Sequence, residues 1–364
     1  MDILGWQWFP FAGGIAIGVI AGFAARYAHF CSLNAIERWA YAGDKNGLRS
    51  WALATLTALV LTQAMVLSGI VDVSQSFYLA PVLGLTGAIA GGLMFGYGMA
   101  LTGTCSFGAL VRLGGGSLKS LVALIMMSIF ALAAQKGLLS IFRVMTVDDV
   151  AIDLAPARSQ SIGDIISALV GIDLALPTAV AVALGLAAFV FGGGVPRKAR
   201  TRMLAGAVVG VCIAAGWLVT SLAATHAFAP VQIEAGSFVV PVADTVMQII
   251  AYTGVLPDYG VGLVLGVVAG AAGAALIRRD VRWEACDDAR ELSRHIAGAA
   301  LMGVGGVMAM GCTIGQAVSA FSVLAISAPI VVVSIVLGAR MGLGHLLEGS
   351  SFAMFQRRGR APAE

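Results

Sequence analysis

Long apolar runs separated by short charged clusters set the rhythm of this chain. Stretches free of Asp, Glu, Lys and Arg cover residues 11–25, 50–71, 82–111, 120–135, 203–233, 259–277 and 295–339. A helix needs about 20 apolar residues to cross a bilayer, so most runs predict one span. The runs over 82–111 and 295–339 are too long for one, and each predicts a helix plus a further piece. The pattern predicts an all-α polytopic membrane protein of about nine spanning helices with short re-entrant helices between them.

The clusters between the runs give an orientation. Basic residues gather at 37–49, 196–202, 278–294 and 357–360, and the positive-inside rule places these in the cytoplasm. The links 72–80, 143–165 and 226–258 then face outward, the second carrying four Asp against two Arg. This puts the N-terminus outside and the C-terminus inside. Within 226–258, "SFVVPVADTVMQIIAY" is broken by Pro241 and Asp244. It is short for a span and reads as a re-entrant or an interfacial helix. The opening "MDILGWQWFPF" has an Asp and no basic stretch, so the first apolar run reads as a retained span with Trp6, Trp8 and Phe9 at the interface.

Composition agrees. The chain is 59% hydrophobic and 11% charged, with mean hydropathy +0.93. A water-facing surface needs far more charge. The net charge of +3 comes without a basic patch interleaved with aromatics, which argues against nucleic acid. The five cysteines and four histidines are scattered. No spacing fits a metal, a cofactor or a disulfide framework.

The chain also repeats itself. "GGLMFGYGMALTGTCSFG" (91–108) aligns without gaps on "GAALMGVGGVMAMGCTIG" (298–315), pairing Cys105 with Cys312 and Gly108 with Gly315. Upstream, Gly18 and Gly22 match Gly266 and Gly270. Two related halves are a transporter signature, with the site at their interface. The reading divides the chain into a first transmembrane half (1–142), an external link with a connecting helix (143–202), a second half (203–348) and a cytoplasmic tail (349–364).

Glycines at 14, 18, 22, 262, 266 and 270 read as close-packing positions between helices. Around the paired cysteines the small residues continue through "TGTCSFG" and "MGCTIGQ", which favours a helix break. Irregular backbone at membrane depth is tolerated only where protein or an aqueous cavity surrounds it. Each cysteine is therefore expected at the tip of a broken helix, with Gly103, Gly108, Gly311 and Gly315 shaping the half-helices. A half-helix that starts there aims its positive end at the path, which suits an anion. A thiol in such a place is a weak donor and a polarizable acceptor, better matched to a soft sulfur than to a hard oxyanion. Thr104, Ser106, Thr313 and Gln316 flank the cysteines as candidate hydrogen-bonding groups. Arg112 reads either as an anion-attracting residue at the mouth or as a snorkelling anchor. Lys119 reads as an anchor. Cys212 reads as core and Cys286 as exposed. Cys31 has no partner in the repeat, and its residues alone leave it open.

Three motifs, "GFAARYAHFCSLNA" (22–35), "GGLMFGYGMALTGTCSFGALVRLGGGS" (91–117) and "GVGGVMAMGCTIGQAVSAFS" (303–322), resemble the YeeE/YedE family of bacterial inner-membrane sulfur transporters. The resemblance implies thiosulfate uptake into the cytoplasm, with no enzymatic chemistry. It implies that Cys31, Cys105 and Cys312 pass the ion along by transient S–H···S contacts. It also implies a small cytosolic sulfur carrier of the TusA type as partner. Some members handle selenium or other sulfur species. Two other functions compete. One is a permease for another small anion. The other is a membrane sulfurtransferase working through a cysteine persulfide, which needs a base or cation beside the thiol. No His or Lys lies in either cysteine segment.

Overall fold

The computed structural model describes residues 3–154, 159–172, 174–192, 199–226, 231–252, 257–286 and 288–349. Asp173, the cluster 357–360, the tail beyond Gly349 and parts of the 143–165, 196–202 and 226–258 segments lie outside the described residues. Among the described residues, seven helical stretches are long and apolar enough to cross a membrane. The first joins α1 (Ile3–Ala28) to α2 (Ser32–Ala42). The third joins a π-helical turn (Gly87–Gly91) to α4 (Gly92–Thr102) and α5 (Ser106–Gly114). The other five are α3 (Asn46–Leu67), α6 (Leu118–Gln135), α10 (Arg200–His226), α12 (Tyr259–Arg278) and α14 (Ser327–Glu348).

The apolar pattern predicts about nine spans, and two helices account for the difference. α9 (Ala175–Phe191) has 17 residues, short of a bilayer's thickness. α13 (Ala289–Met308) places Arg290, Glu291 and Arg294 in its first two turns.

Glycine stripes set the packing, because lipid supplies no hydrophobic drive between helices and close approach must supply the contact. α1 lies on α12, and a Cβ on Gly18 would come within 2.9 Å of the Gly266 Cα. α4 lies on α13, where a Cβ on Gly298 would reach 2.8 Å from the Gly98 carbonyl oxygen. The helices that touch are thus the ones whose sequences match. α3 lies on α10, and a Cβ on Gly210 would meet Thr57 Cβ at 2.8 Å.

Segment 231–250 joins an extended stretch to a short helix. Residues 231–239 carry no helix, and α11 (Val240–Ile250) follows with Pro241 in its first turn, where proline fits. The extended part folds back between α10 and the chain after Cys312. Thr220 donates to the Glu234 carbonyl at 2.8 Å, and Ser319 donates to the Gly236 carbonyl at 2.7 Å while accepting from the Gly236 N–H at 3.1 Å. These side chains satisfy backbone that has no helix of its own, as an apolar interior demands. Phe238 reaches the ring of Phe107, with 4.9 Å between centroids. One feature has no helical signal at all: β1 (Val82–Leu83) pairs antiparallel with β2 (Ile152–Asp153). The remaining helices of that region are α7 (Leu139–Arg143) and α8 (Ile162–Val170).

Candidate functional site

Three helices begin at a cysteine. Cys31 occupies the N-cap of α2, with extended backbone, and its carbonyl accepts from Ala35 N–H at 3.2 Å. Cys105 occupies the N-cap of α5, its carbonyl accepting from Ala109 N–H at 2.8 Å and its Sγ from Gly108 N–H at 3.4 Å. Cys312 repeats that arrangement before the π-helical stretch Gly315–Ala320. Its carbonyl accepts from Gln316 N–H at 2.9 Å and its Sγ from Gly315 N–H at 3.4 Å. Each paired thiol thus takes the place of the usual N-cap oxygen.

The breaks are built alike. α4 stops at Gly103, which turns left-handed at φ 72°. In the repeat alignment Gly103 stands opposite Met310, and Met310 is left-handed too, at φ 53°. Stopping a helix frees carbonyls, and a polar side chain returns to them in each case. Arg112 donates to the Gly103 carbonyl at 2.9 Å. Gln316 donates to the Ala309 and Met310 carbonyls at 2.8 and 3.1 Å. The sequence offers Arg112 as mouth or anchor; the structure gives it the further work of closing the break. Gln316 likewise spends its amide N–H groups on backbone, leaving Oε1 without a hydrogen-bond partner among the described residues.

The half-helices run in opposite senses. Thr55 donates to the Ala317 carbonyl at 2.7 Å and Gln63 to the Ser322 carbonyl at 3.0 Å, so the chain after Cys312 runs parallel to α3. α5 runs the other way, toward Ser117, which pairs with Glu284 near the ends of α1 and α12. Their N-terminal ends therefore meet in the interior.

Between them sits Met99 of α4, fully buried. Its thioether accepts from Ser32 Oγ at 3.6 Å and from Thr313 Oγ1 at 3.9 Å. These are the residues directly after Cys31 and Cys312. Cys31 and Cys312 both lie within electrostatic reach of the Cys105 sulfur, and Ser32 lies within hydrogen-bond reach of it. The structure thus gathers all three cysteines around one thioether. Cys105 and Cys312 are buried, as are Thr104, Ser106 and Thr313. Thr104 donates weakly to the Cys105 carbonyl at 3.4 Å, and Ser106 Oγ has no partner among the described residues. Gly108 is boxed by Thr104 Oγ1, and a Cβ on Gly315 would come 2.9 Å from the Tyr78 hydroxyl. Gly311 backs onto the Gln316 side chain.

Two cavities approach this centre from opposite ends. One of about 260 Å³ touches Cys31, Gly103, Thr104, Gly108, Arg26 and Arg112. The other, of about 310 Å³, reaches Gly311, Met310 and Ser237, one residue short of Cys312. Buried side chains around Met99 separate them.

Residues 27–341 match the sulphur transport family. The chain belongs to that family, YeeE/YedE. No curated protein matches it. The family match covers both cysteine half-helices, Cys31 and the lining of the two cavities except Ala25 and Arg26. With seven apolar helices beside it, it makes this a multi-pass membrane sulfur transporter. Reading the sequence misses three parts of the transporter's interior: Met99, Ser32 and the acidic lining of the larger cavity. A methionine inside "GYGMALTG" reads as core, and only the fold brings Ser32 and Thr313 onto its sulfur. Two readings outside the centre are also settled. Cys212 is buried core, whereas Cys286 is half-buried rather than exposed. Lys119 pairs with Glu291 at 3.6 Å and Glu284 at 3.9 Å.

Proposed function

We propose that this transporter imports thiosulfate across the bacterial inner membrane into the cytoplasm, with Cys105 at the centre of the route and Cys312 and Cys31 on either side. The observation that carries the reading is the convergence of three cysteine-capped half-helices on one buried thioether between two cavities. Helix N-termini favour an anion. The thiols offer weak S–H donors that a terminal sulfur can accept and release, and weak multi-site binding is what lets an ion move on. A hard-oxygen anion gains less from such soft partners. By the positive-inside rule the Cys31 cavity faces the cytoplasm. There Arg26, Arg112, Lys119 and Arg282, against Asp280 and Glu284, line a further cavity of about 450 Å³. That basic mouth suits release to a small cytosolic carrier of the TusA type.

Labelled thiosulfate uptake tests the reading. Cys105→Ala and Cys312→Ala each abolish uptake while the protein still inserts. Full uptake by both variants refutes it. Competition by excess sulfate separates thiosulfate from a general small-anion route: weak competition supports soft-sulfur selection. A dianion entering an interior-negative cell climbs about 4.6 kcal/mol per 100 mV, so the route needs a compensating charge.

A further inference from the structure

The outer cavity is lined by three carboxylates from three separate elements: Glu234 of the extended segment, Asp244 of α11 and Asp258 at the N-cap of α12. Three carboxylates in an anion path repel the anion, and neutralising one of them lowers that barrier. Two cations share the cavity, Lys136 at the end of α6 and Arg143 of α7, and Arg143 is already paired with Asp148 at 3.3 Å. Tyr259 of α12 and Tyr78 of the turn Phe77–Leu79 lie within electrostatic reach of Glu234, and Tyr78 also of Cys312, from behind the cavity lining. Tyr259 is 2% exposed, and its hydroxyl has no hydrogen-bond partner among the described residues. A Cβ on Gly216 would meet both that hydroxyl and the Ala235 Cα, so an unused hydroxyl lies beside the Ala235 backbone, next to Glu234 in the chain, while Tyr259 also lines a separate small cavity with Cys212 and Ile213. The Glu234 carboxyl lies against the first turn of α12, 3.3 Å from where a Cβ on Gly260 would stand. The positive end of that helix would hold a carboxylate ionised, but Asp258 has already taken it, accepting from Val261 N–H at 2.9 Å.

We propose that Glu234, beside the charges of Asp244 and Asp258, is a proton-binding site at the outer mouth, and that the anion passes toward Cys312 only while Glu234 carries its proton. This rests on the anion-import reading above. The proton comes from the outer solution, binds one Glu234 carboxylate oxygen and removes one negative charge from the cavity. Like charges that share a cavity repel more strongly when partly buried than in water. Glu234 lies outside every spanning helix. Burial, then Asp258 and Asp244, push its carboxyl up to about 8. Burial and Asp258 push Asp244 up to about 6, against the pull of Lys136.

The test is labelled thiosulfate uptake by the full chain in liposomes at varied outer pH. Thiosulfate stays a dianion across the range, so its own charge does not change. Between about pH 7 and about pH 9 the protonated fraction of a group titrating at about 8 falls roughly tenfold, and uptake falls by the same factor. Glu234→Gln, permanently neutral, keeps its uptake flat over that range. Asp244→Asn removes a neighbouring charge, so Glu234 loses its proton at lower pH and the fall in uptake moves to lower pH. Wild-type uptake that is unchanged between those pH values overturns the proposal, and so does an Asp244→Asn profile that does not move. These two results decide the matter even if Glu234→Gln fails to fold. Uptake that is present, lost in Cys105→Ala and flat with pH overturns the proton site alone. No uptake at any pH overturns the import reading and this site with it.

Discussion

The Cys105 and Cys312 breaks solve one problem twice, with different residues. Both stop a helix, turn one residue left-handed, cap the next helix with a thiol and return a polar side chain to the freed carbonyls. The turning residue is Gly103 in the first and Met310 in the second. Glycine takes that conformation freely, whereas a side chain there costs on the order of 1–2 kcal/mol. The retrieving side chain is the cation Arg112 in one and neutral Gln316 in the other. The difference follows the cavities. The Cys105 break opens on a basic mouth and the Cys312 break on one lined by acids. The half-helix tip is the shared part, and the charge around it is what sets the two ends apart.

Substitutions can pull the shared part from its setting. The largest effect is expected for Cys105→Ser. Serine is a better N-cap than a thiol, so thermal stability in detergent stays level or rises by about 0.5–1 kcal/mol. Uptake nevertheless falls to background, because the soft sulfur is gone. If capping were the cysteine's whole purpose, the serine variant would transport as well as the wild type. Next is Gly103→Val, which forces a β-branched residue into the left-handed region at roughly 1–3 kcal/mol and moves the Cys105 tip; a thermal melt and uptake both drop. Arg112→Met leaves the Gly103 carbonyl without its donor and costs about 1–3 kcal/mol. The smallest change runs the other way: Met310→Gly relieves the strain at the second break and raises stability by about 1 kcal/mol. Equal melts for Met310→Gly and the wild type would remove the asymmetry drawn here.

Much of this was legible in residue order. The apolar runs mark the spans, and the gapless match of 91–108 on 298–315 marks both breaks, because glycine and small polar residues interrupt helices for local reasons. The glycine stripes of α1 and α12 announce close packing, though only the fold pairs them with one another. What stayed hidden depends on distance along the chain. Met99 reads as core until Ser32 and Thr313, 67 and 214 residues away, are seen to donate to it. Glu234 and Asp258 look like loop acids, and Asp244 like a break in a short helix, until the fold brings them onto one cavity. α13 escaped a clean count because Arg290, Glu291 and Arg294 open an otherwise apolar helix.

The central claim is that thiosulfate meets the Cys105 sulfur on its way through. Alkylation of each cysteine in the wild-type transporter, followed by mass spectrometry with and without thiosulfate, tests it most directly. The account predicts that thiosulfate slows alkylation of Cys105 and that sulfate at the same concentration does not. Unchanged Cys105 alkylation while thiosulfate uptake continues would contradict it.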